Sequence, residues 1–182
     1  MSMRYLKIPM ERVGVLIGRN GETKKDLEEK LGAGIDIDSE SGDVVFGEQD
    51  VKDPLLMLKI ENIIRAIGRG FSPDHAMRLL DDDIDFYVFD IYDYVGKKES
   101  HVKRLKGRII GKAGKTKRVL EELTDSNISV YGHTVSVIAD ISSMDIVKKA
   151  IDMLLTGSRH ATAYRFVESR MKKLKFEERF RF

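Results

Sequence analysis

Apolar residues recur along this chain at two spacings, the three-to-four-residue spacing of a buried helix face and the alternation of a half-buried strand. In the first half they predict the order β-α-α-β-β-α, with elements at residues 4–8, 13–17, 23–31, 35–38, 44–46 and 54–67. Boundary residues fit this order, because Pro9 ends the first strand, Gly32 follows the second helix and Pro54 begins the third. The first half therefore predicts one small α+β unit.

The second half predicts the same order and one helix more. Its elements are expected at residues 86–91, 105–110, 115–123, 128–131, 134–138 and 144–155, with a polar connection after the first strand. A further amphipathic helix is expected at 159–175, followed by a frayed tail at 177–182.

A boundary between the halves is marked by a short helix at 73–80 and by the acidic run at 81–83. We therefore expect two domains, at residues 1–81 and 82–182.

The two halves also share residues at a constant offset. Gly18 and Gly111 are 93 positions apart (111 − 18), and the same offset relates the residues around them. The matching pairs include Gly14 and Gly107, Ile17 and Ile110, Gly21 and Gly114, Thr23 and Thr116, Lys24 and Lys117, and Glu28 and Glu121. A duplicated unit is the simplest explanation.

Each half carries a turn bounded by two glycines between its first two helices, at residues 18–21 and 111–114. Without side chains, the glycines allow another backbone to come close. The amides that begin the following helix point outward and, together with the helix dipole, favour an anion. With lysines around it, such a turn suits a phosphodiester backbone.

The order β-α-GxxG-α-β-β-α resembles the type I KH domain, and an isoleucine precedes the first glycine of each turn, as that family prefers. The resemblance implies an α+β protein of two tandem type I KH domains, each a three-stranded antiparallel sheet covered by helices, with an extra C-terminal helix. In KH domains the turn clamps the backbone of about four single-stranded nucleotides, and the bases lie in an apolar groove.

Three stretches, at residues 107–117, 68–73 and 161–170, resemble more narrowly a family of tandem KH small-subunit ribosome-assembly factors. This is the partner-of-Nob family, whose archaeal members are Dim-two-like proteins. The resemblance implies binding near the 3′ end of 16S-type rRNA and contact with a maturation endonuclease of the Nob type. It also implies contact with a translation initiation factor subunit.

The two copies differ in charge. Residues 11–31 contain five basic and five acidic residues, whereas residues 104–124 contain seven basic and two acidic ones. The loop between the later strands is acidic at 38–43 in the first copy and is a short uncharged turn at 132–133 in the second. Because phosphate neutralisation dominates affinity, we expect the second unit to bind RNA. We expect the first to bind it weakly or to dock a protein.

The expected RNA contacts centre on the second turn. The primary set is Arg104, Lys106, Arg108, Ile110, Gly111, Lys112, Ala113, Gly114, Lys115, Lys117, Ile128, Ser129 and Tyr131. Its cations would hold phosphates, its isoleucines would floor the groove, and the backbone of the last two residues would read a base. A secondary set comprises Gly18, Arg19, Asn20, Gly21, Arg159, His160 and Arg165. Two alternatives stay open. The two isoleucines, at 110 and 128, could be core residues, and the basic residues at 159, 160 and 165 could only solvate the final helix.

Little in the sequence supports catalysis. A nucleotide-binding P-loop ending at residues 114–116 needs a glycine at position 109, which is isoleucine. The four histidines are scattered without metal-ligand spacing, and the acidic run at 81–83 fits a solvated linker better than a magnesium site. We expect no enzyme activity, no cofactor and no metal.

Composition adds a few limits. A hydrophobic content of 42% can build cores, and the absence of cysteine excludes disulfides and thiolate metal sites. The net charge of +2 hides a basic segment at 97–118, which has ten basic residues and one acidic residue. Since the sequence shows neither a signal-peptide core nor an apolar run approaching ~18 residues, we expect a cytoplasmic monomer with no membrane partner.

Two alternative functions use the same fold. In a protein-docking scaffold, the first unit and the acidic linker are the working surfaces and RNA binding is secondary. Within the RNA-binding class, the runner-up is a KH subunit of an RNA-degrading complex or a translational regulator. Such proteins often add a barrel domain, which would need a long multi-strand segment that this chain lacks. Steep salt dependence of RNA binding favours the RNA function over the scaffold, because released counterions set the slope.

Overall fold

The computed structural model describes residues 3–47 and 53–180, and the chain divides into two compact units, Met1–Asp81 and Asp82–Phe182. Each unit has its own three-stranded antiparallel sheet. In both sheets the third strand in chain order lies between the first and the second. This confirms the α+β architecture of two like units that the hydrophobic pattern predicts.

The first unit runs β-α-α-β-β-α and ends in a short helix. Its elements are β1 (Met3–Lys7), α1 (Met10–Ile17), α2 (Glu22–Leu31), β2 (Ile35–Ile37), β3 (Asp43–Gly47), α3 (Pro54–Gly68) and α4 (Pro73–Met77). Its core joins Val44 and Phe46 of the central strand to Leu16 and Leu27 of the first two helices. The side chain of Asp53 accepts a hydrogen bond from the Leu55 amide at 2.9 Å and so caps α3.

The second unit repeats this order, with a short extra helix after its first strand and a long helix at its end. Its elements are β4 (Ile84–Asp90), α5 (Tyr92–Val95), α6 (Glu99–Ile110), α7 (Lys115–Thr124), β5 (Asn127–Tyr131), β6 (Thr134–Asp140), α8 (Ile141–Leu155) and α9 (His160–Arg179). Val135 and Val137 of the central strand pack with Leu105, Ile109 and Leu120 of α6 and α7 in one buried core.

The sequence repeat extends to individual hydrogen bonds. The Glu28 carboxylate accepts a bond of 2.8 Å from the amide of Ile35, the first residue of β2, and Glu121, 93 positions on, accepts one of 2.7 Å from the amide of Ile128, the second residue of β5. A lysine pairs with each carboxylate, at 3.8 Å for Lys24 and 2.9 Å for Lys117. The second helix therefore positions the following strand in the same way in both units.

Helix α9 packs on α7 and α8 through Ala163, Val167 and Met171, which are buried at helical spacing. The Tyr164 hydroxyl also donates to Oγ1 of Thr116, 3.1 Å away, at the start of α7. The C-terminal helix therefore supports the segment that follows the second glycine turn. Neither α9 nor any other helix in the described ranges is both long and apolar enough to cross a membrane.

Several predicted boundaries in the second unit are wrong, and the largest differences lie before α6 and at the end of α9. The expected polar connection contains α5, and α6 begins at Glu99, because Val102 joins Leu105 and Ile109 on one buried face among many charged residues. The tail was expected to fray from residue 177, but α9 continues to Arg179. Residues 181–182 lie outside the described part of the chain.

Candidate nucleic-acid interface

The first glycine of each turn has a conformation and a position that exclude a side chain. Gly111 has φ +73° and ψ 176°, and Gly18 has φ +75° and ψ 175°, a combination found essentially only in glycine. A Cβ at Gly111 would lie 2.2 Å from Oγ1 of Thr116, and a Cβ at Gly18 would lie 2.1 Å from Oγ1 of Thr23. These glycines therefore allow the turn to fold tightly onto the next helix.

The second glycine of each turn has the opposite surroundings. Gly114 and Gly21 have φ +74° and +76°, and a Cβ added at either would meet nothing within 4 Å. Their outer faces are open, so another backbone can approach the amides that begin α7 and α2. This is the arrangement that an anion at a helix start requires.

The residue before the second glycine is also left-handed in both turns. Ala113 has φ +52° and ψ 33°, and Asn20 has φ +53° and ψ 25°. Asparagine tolerates this region, whereas alanine costs about 1–2 kcal/mol there. The Ala113 carbonyl accepts a bond from Nη2 of Arg118 at 3.1 Å, and the Gly114 amide donates to the Gly111 carbonyl at 3.2 Å. These two hydrogen bonds therefore hold the second turn in a strained conformation. One of them comes from Arg118, which is not among the predicted RNA contacts.

The basic side chains around this turn differ in exposure, pairing and position. Lys112 and Lys115 are exposed at the turn itself. Lys117 is half-buried and paired with Glu121, so it is less available to a phosphate. Arg104 is exposed on α6 but does not line the groove described below. The turn lysines are therefore the best-placed phosphate ligands of the predicted set.

The side chain of Arg108 forms hydrogen bonds within the second unit. Its Nε donates to the Leu154 carbonyl at 2.8 Å, and its Nη2 donates to the Ser158 carbonyl. His160 donates from Nε2 to the Arg108 carbonyl at 2.9 Å. In the first unit, Arg12 donates in the same way to the carbonyls of Ile67 and Phe71, at 2.8 and 2.7 Å. We therefore revise the expectation for Arg108 and His160, whose side chains fix the ends of α6 and α8.

The other two basic residues of the secondary set lie on the surface. Arg159 precedes α9 and Arg165 lies on its first turns, and both are exposed. Arg165 donates from Nε to the Ala161 carbonyl at 3.4 Å, within its own helix. Both side chains are therefore accessible from solvent, and their contact with RNA stays a prediction.

A groove of about 630 Å³ runs along α6 from the glycine turn towards the turn between β5 and β6. Its lining residues are Tyr92, Glu99, Val102, Lys103, Lys106, Gly107, Ile110, Gly132 and His133. A Cβ at Gly107 would meet nothing within 4 Å, so this glycine leaves the middle of the groove open. Lys103, which the predicted set omits, lies on the groove face because it is seven residues before Ile110.

The two isoleucines of the predicted contact set differ in burial. Ile110 is partly exposed in the groove, whereas Ile128 is 2% exposed and packs in the core, which confirms the core alternative for it alone. Ser129 and Tyr131 are half-buried on β5, which forms one edge of its sheet. An edge strand is the position from which a backbone could read a base.

Sequence reasoning missed an aromatic cluster at the far end of the groove. The rings of Tyr92 and His133 stack with centroids 4.1 Å apart and planes 8° apart. Oδ1 of Asp90 lies 2.9 Å from Nδ1 of His133 and also accepts from the Tyr92 amide at 2.9 Å. The sequence indicates only an uncharged turn at Gly132-His133, because nothing local in it reveals that α5 places a tyrosine beside the histidine.

The corresponding loop of the first unit is acidic. Asp38 accepts hydrogen bonds from the amides of Glu40, at 2.8 Å, and Ser41, at 3.3 Å. These bonds lower the pKa of Asp38 below its ordinary value, and the bond from the Glu40 amide contributes most. Asp38 therefore keeps its negative charge beside Asp43 and Glu40. Within the described ranges, no three His, Asp or Glu side chains converge as metal ligands would.

Comparison with known proteins agrees with this geometry. Residues 85–172 match the family described as eukaryotic type KH-domain (KH-domain type I), and residues 3–58 match the KH domain family. The chain is 45% identical over 174 residues to the KH domain-containing protein MJ0443 of Methanocaldococcus jannaschii, which covers 96% of this chain and 76% of that protein.

Three solved structures share the fold over nearly the whole chain. APE0754 from Aeropyrum pernix is 38% identical, with a TM-score of 0.91 over 98% of this chain and 95% of that one. Dim2p from Pyrococcus horikoshii is 40% identical, with a TM-score of 0.85 over 93% and 100%. A chain of the a/eIF2alpha–aDim2p–rRNA complex from the same organism is 40% identical, with a TM-score of 0.86 over 94% and 95%. The chain therefore belongs to the archaeal Dim2p family of tandem KH-domain ribosome-assembly factors.

Proposed function

We propose that this protein is a non-catalytic, single-stranded RNA-binding factor in small ribosomal subunit assembly, and that its second unit holds the RNA. The observation that carries the proposal is the turn at 111–114, whose last glycine has an open outer face beside exposed lysines. The solved complex of a/eIF2alpha, aDim2p and rRNA, in which one chain is 40% identical to this one, supports rRNA as the ligand. We assign the bound segment to the region near the 3′ end of 16S-type rRNA, as the family resemblance implies.

RNA binding divides between the turn and the groove. Phosphates approach the amides that follow Gly114, where the helix dipole and the charges of Lys112 and Lys115 attract them. The bases then lie along α6, on the partly exposed side chain of Ile110 and the open surface at Gly107. The turn supplies affinity without sequence preference, and the groove supplies the base contacts.

The first unit is the weaker RNA site in this proposal. Its glycine turn has the same backbone, but Asp38, Glu40 and Asp43 are exposed on the loop between its later strands. A carboxylate that is kept ionised by its own turn repels phosphate at all physiological pH values. The same acidic rim would suit a basic protein segment, which is the second candidate function for this unit.

The two proposed protein partners are supported by different evidence. The solved complex supports a translation initiation factor subunit as one partner. Recruitment or regulation of a Nob-type endonuclease rests on the family resemblance alone. We propose both as roles of the assembled factor, with the RNA site remaining in the second unit.

Paired charge reversals in the two turns test the assignment. Lys112→Asp with Ala113→Asp should weaken binding of a short single-stranded rRNA 3′-end segment by about tenfold or more, because phosphate contacts dominate affinity. The matched control is Arg19→Asp with Asn20→Asp, which should have a smaller effect. Circular dichroism and thermal unfolding establish that both variants fold. A larger loss in the first turn would reverse the ranking of the units.

Salt dependence separates RNA binding from a scaffold function. For single strands, the logarithm of the association constant falls linearly with the logarithm of the salt concentration, with a slope of about −0.7 for each neutralised phosphate. The wild-type slope should become shallower in the variant of the second turn and stay nearly unchanged in that of the first. A flat wild-type slope would favour the scaffold.

A further inference from the structure

We propose that Tyr92 and His133 form a base-stacking site at the end of the groove remote from the glycine turn, where they hold an additional unpaired base. This inference rests on the proposed RNA binding and adds one base position to the same groove. It joins Tyr92, which lies on the extra helix α5, to His133 in the turn between β5 and β6.

The two rings already form an aromatic surface. They stack with centroids 4.1 Å apart and planes 8° apart, and both line the groove. Every base presents a flat π-face, and aromatic side chains that line a single-strand groove stack with bases regardless of sequence. A base entering this end of the groove therefore meets a preformed stack.

Asp90 fixes the orientation of this stack. An ionised carboxylate only accepts hydrogen bonds, so the 2.9 Å contact with Oδ1 of Asp90 assigns the proton to Nδ1 of His133. The same oxygen accepts from the Tyr92 amide at 2.9 Å, and the His133 carbonyl accepts from the Ile91 amide at 2.8 Å. Both residues are thus locked to the end of β4 before any ligand binds.

The distance from the glycine turn leaves room for this base in addition to those nearer the turn. The groove face of α6 runs from Ile110 to Glu99, a rise of about 16 Å along the helix axis. Lys103 and Lys106 line this path and can follow the phosphates. In the first unit only two residues separate the end of β1 at Lys7 from the start of α1 at Met10, and they leave no place for a counterpart of α5. The aromatic end is therefore a property of the second unit.

Base-deletion scanning tests the site. A short single-stranded rRNA 3′-end segment is prepared with each base removed in turn, and affinity is measured for wild type, for Tyr92→Leu with His133→Leu, and for Tyr5→Leu as control. Tyr5 is an exposed tyrosine on the first unit's sheet, 71% accessible. In wild type and control, removal of one particular base should weaken binding roughly fivefold to a hundredfold, the range of one base–aromatic stack. In the double variant the same removal should have no effect.

A spectroscopic readout distinguishes stacking from a merely structural role. 2-Aminopurine at the sensitive position should be quenched on binding by wild type and by Tyr92→Phe, which keeps a ring, but not by the double variant.

Equal base-removal effects in wild type and the double variant would overturn the inference while leaving the turn assignment intact. If charge reversal at Lys112 and Ala113 also had no effect, the proposed function would fail and this site with it.

Discussion

The hydroxyl of Thr116 lies between two elements of the second unit: it accepts a hydrogen bond from Tyr164 at 3.1 Å and lies 2.2 Å from where a Cβ of Gly111 would be. Thr116 is buried, with 4% of its surface accessible. The C-terminal helix, the start of α7 and the first glycine of the turn are thus fitted to one another. The turn that we assign to phosphate binding is therefore part of the packed core on its inner side and open on its outer side.

This asymmetry predicts different costs for alanine at the two glycines. Gly111→Ala should reduce the free energy of unfolding by about 2 kcal/mol or more, because the backbone is in a glycine-only region and the methyl group would collide with Thr116. Gly114→Ala should cost only about 1 kcal/mol, since its conformation is merely left-handed and its outer face is open. Urea denaturation of both variants measures the difference. Equal losses would contradict the packing argument.

Ala113→Gly should stabilise the protein. Alanine at φ +52° carries about 1 kcal/mol of strain that glycine does not have, while glycine adds some entropy to the unfolded chain. We therefore expect a net gain of up to about 1 kcal/mol in the free energy of unfolding. Asn20→Gly in the first unit is the matched control and should change stability less, because asparagine already tolerates this conformation. A destabilised Ala113→Gly variant would show that the turn is not strained.

Arg108→Met should destabilise the fold rather than the complex with RNA. The Leu154 carbonyl would keep its bond of 3.3 Å from the Gly157 amide, and the Ser158 carbonyl would lose the donor that Arg108 provides. A part-buried acceptor left without a partner costs about 1–3 kcal/mol. We expect a lower melting temperature and RNA affinity within about twofold of wild type, measured below the transition. Lys112→Met should behave in the opposite way. Loss of affinity in a folded Arg108→Met variant would restore Arg108 to the contact set.

Tyr94 predicts a pH dependence of stability on the alkaline side. Burial, with the hydrogen bond to Asp152 at 3.1 Å, raises the pKa of Tyr94 to about 12, above its ordinary value near 10. The fold therefore favours the protonated phenol, and its stabilisation is full below pH 10 and is lost as the pH rises through 12. Tyr94→Phe should remove this step from the pH profile of the urea midpoint. A profile that is identical in wild type and variant would contradict the assignment.

Much of the fold could be predicted from the sequence because the core residues repeat at regular spacing. Glu28 and Glu121 illustrate this, since a shared offset of 93 led to the same hydrogen bond at the start of two strands. Helix α6 was underestimated because Val102 is a single apolar residue among charged neighbours, and only tertiary packing shows that it is buried.

The candidate site was predictable at the turn and less so around it. Glycines in fixed spacing report a backbone conformation, so residues 111–114 were identified directly. Charge alone does not distinguish a phosphate ligand from a helix-end ligand, and so Arg108 was grouped with Lys112. The Tyr92–His133 stack joins residues 41 positions apart (133 − 92) through α5, which the sequence did not indicate.

The most direct test of the central claim is to map which residues touch the RNA. Ultraviolet crosslinking of the full chain to a short single-stranded rRNA 3′-end segment, followed by mass spectrometry of the peptides, gives this map. We predict crosslinks within residues 103–118 and at the groove residues Tyr92 and His133, with few at 18–25. Crosslinks concentrated at 18–25 or on the acidic loop of the first unit would contradict the account.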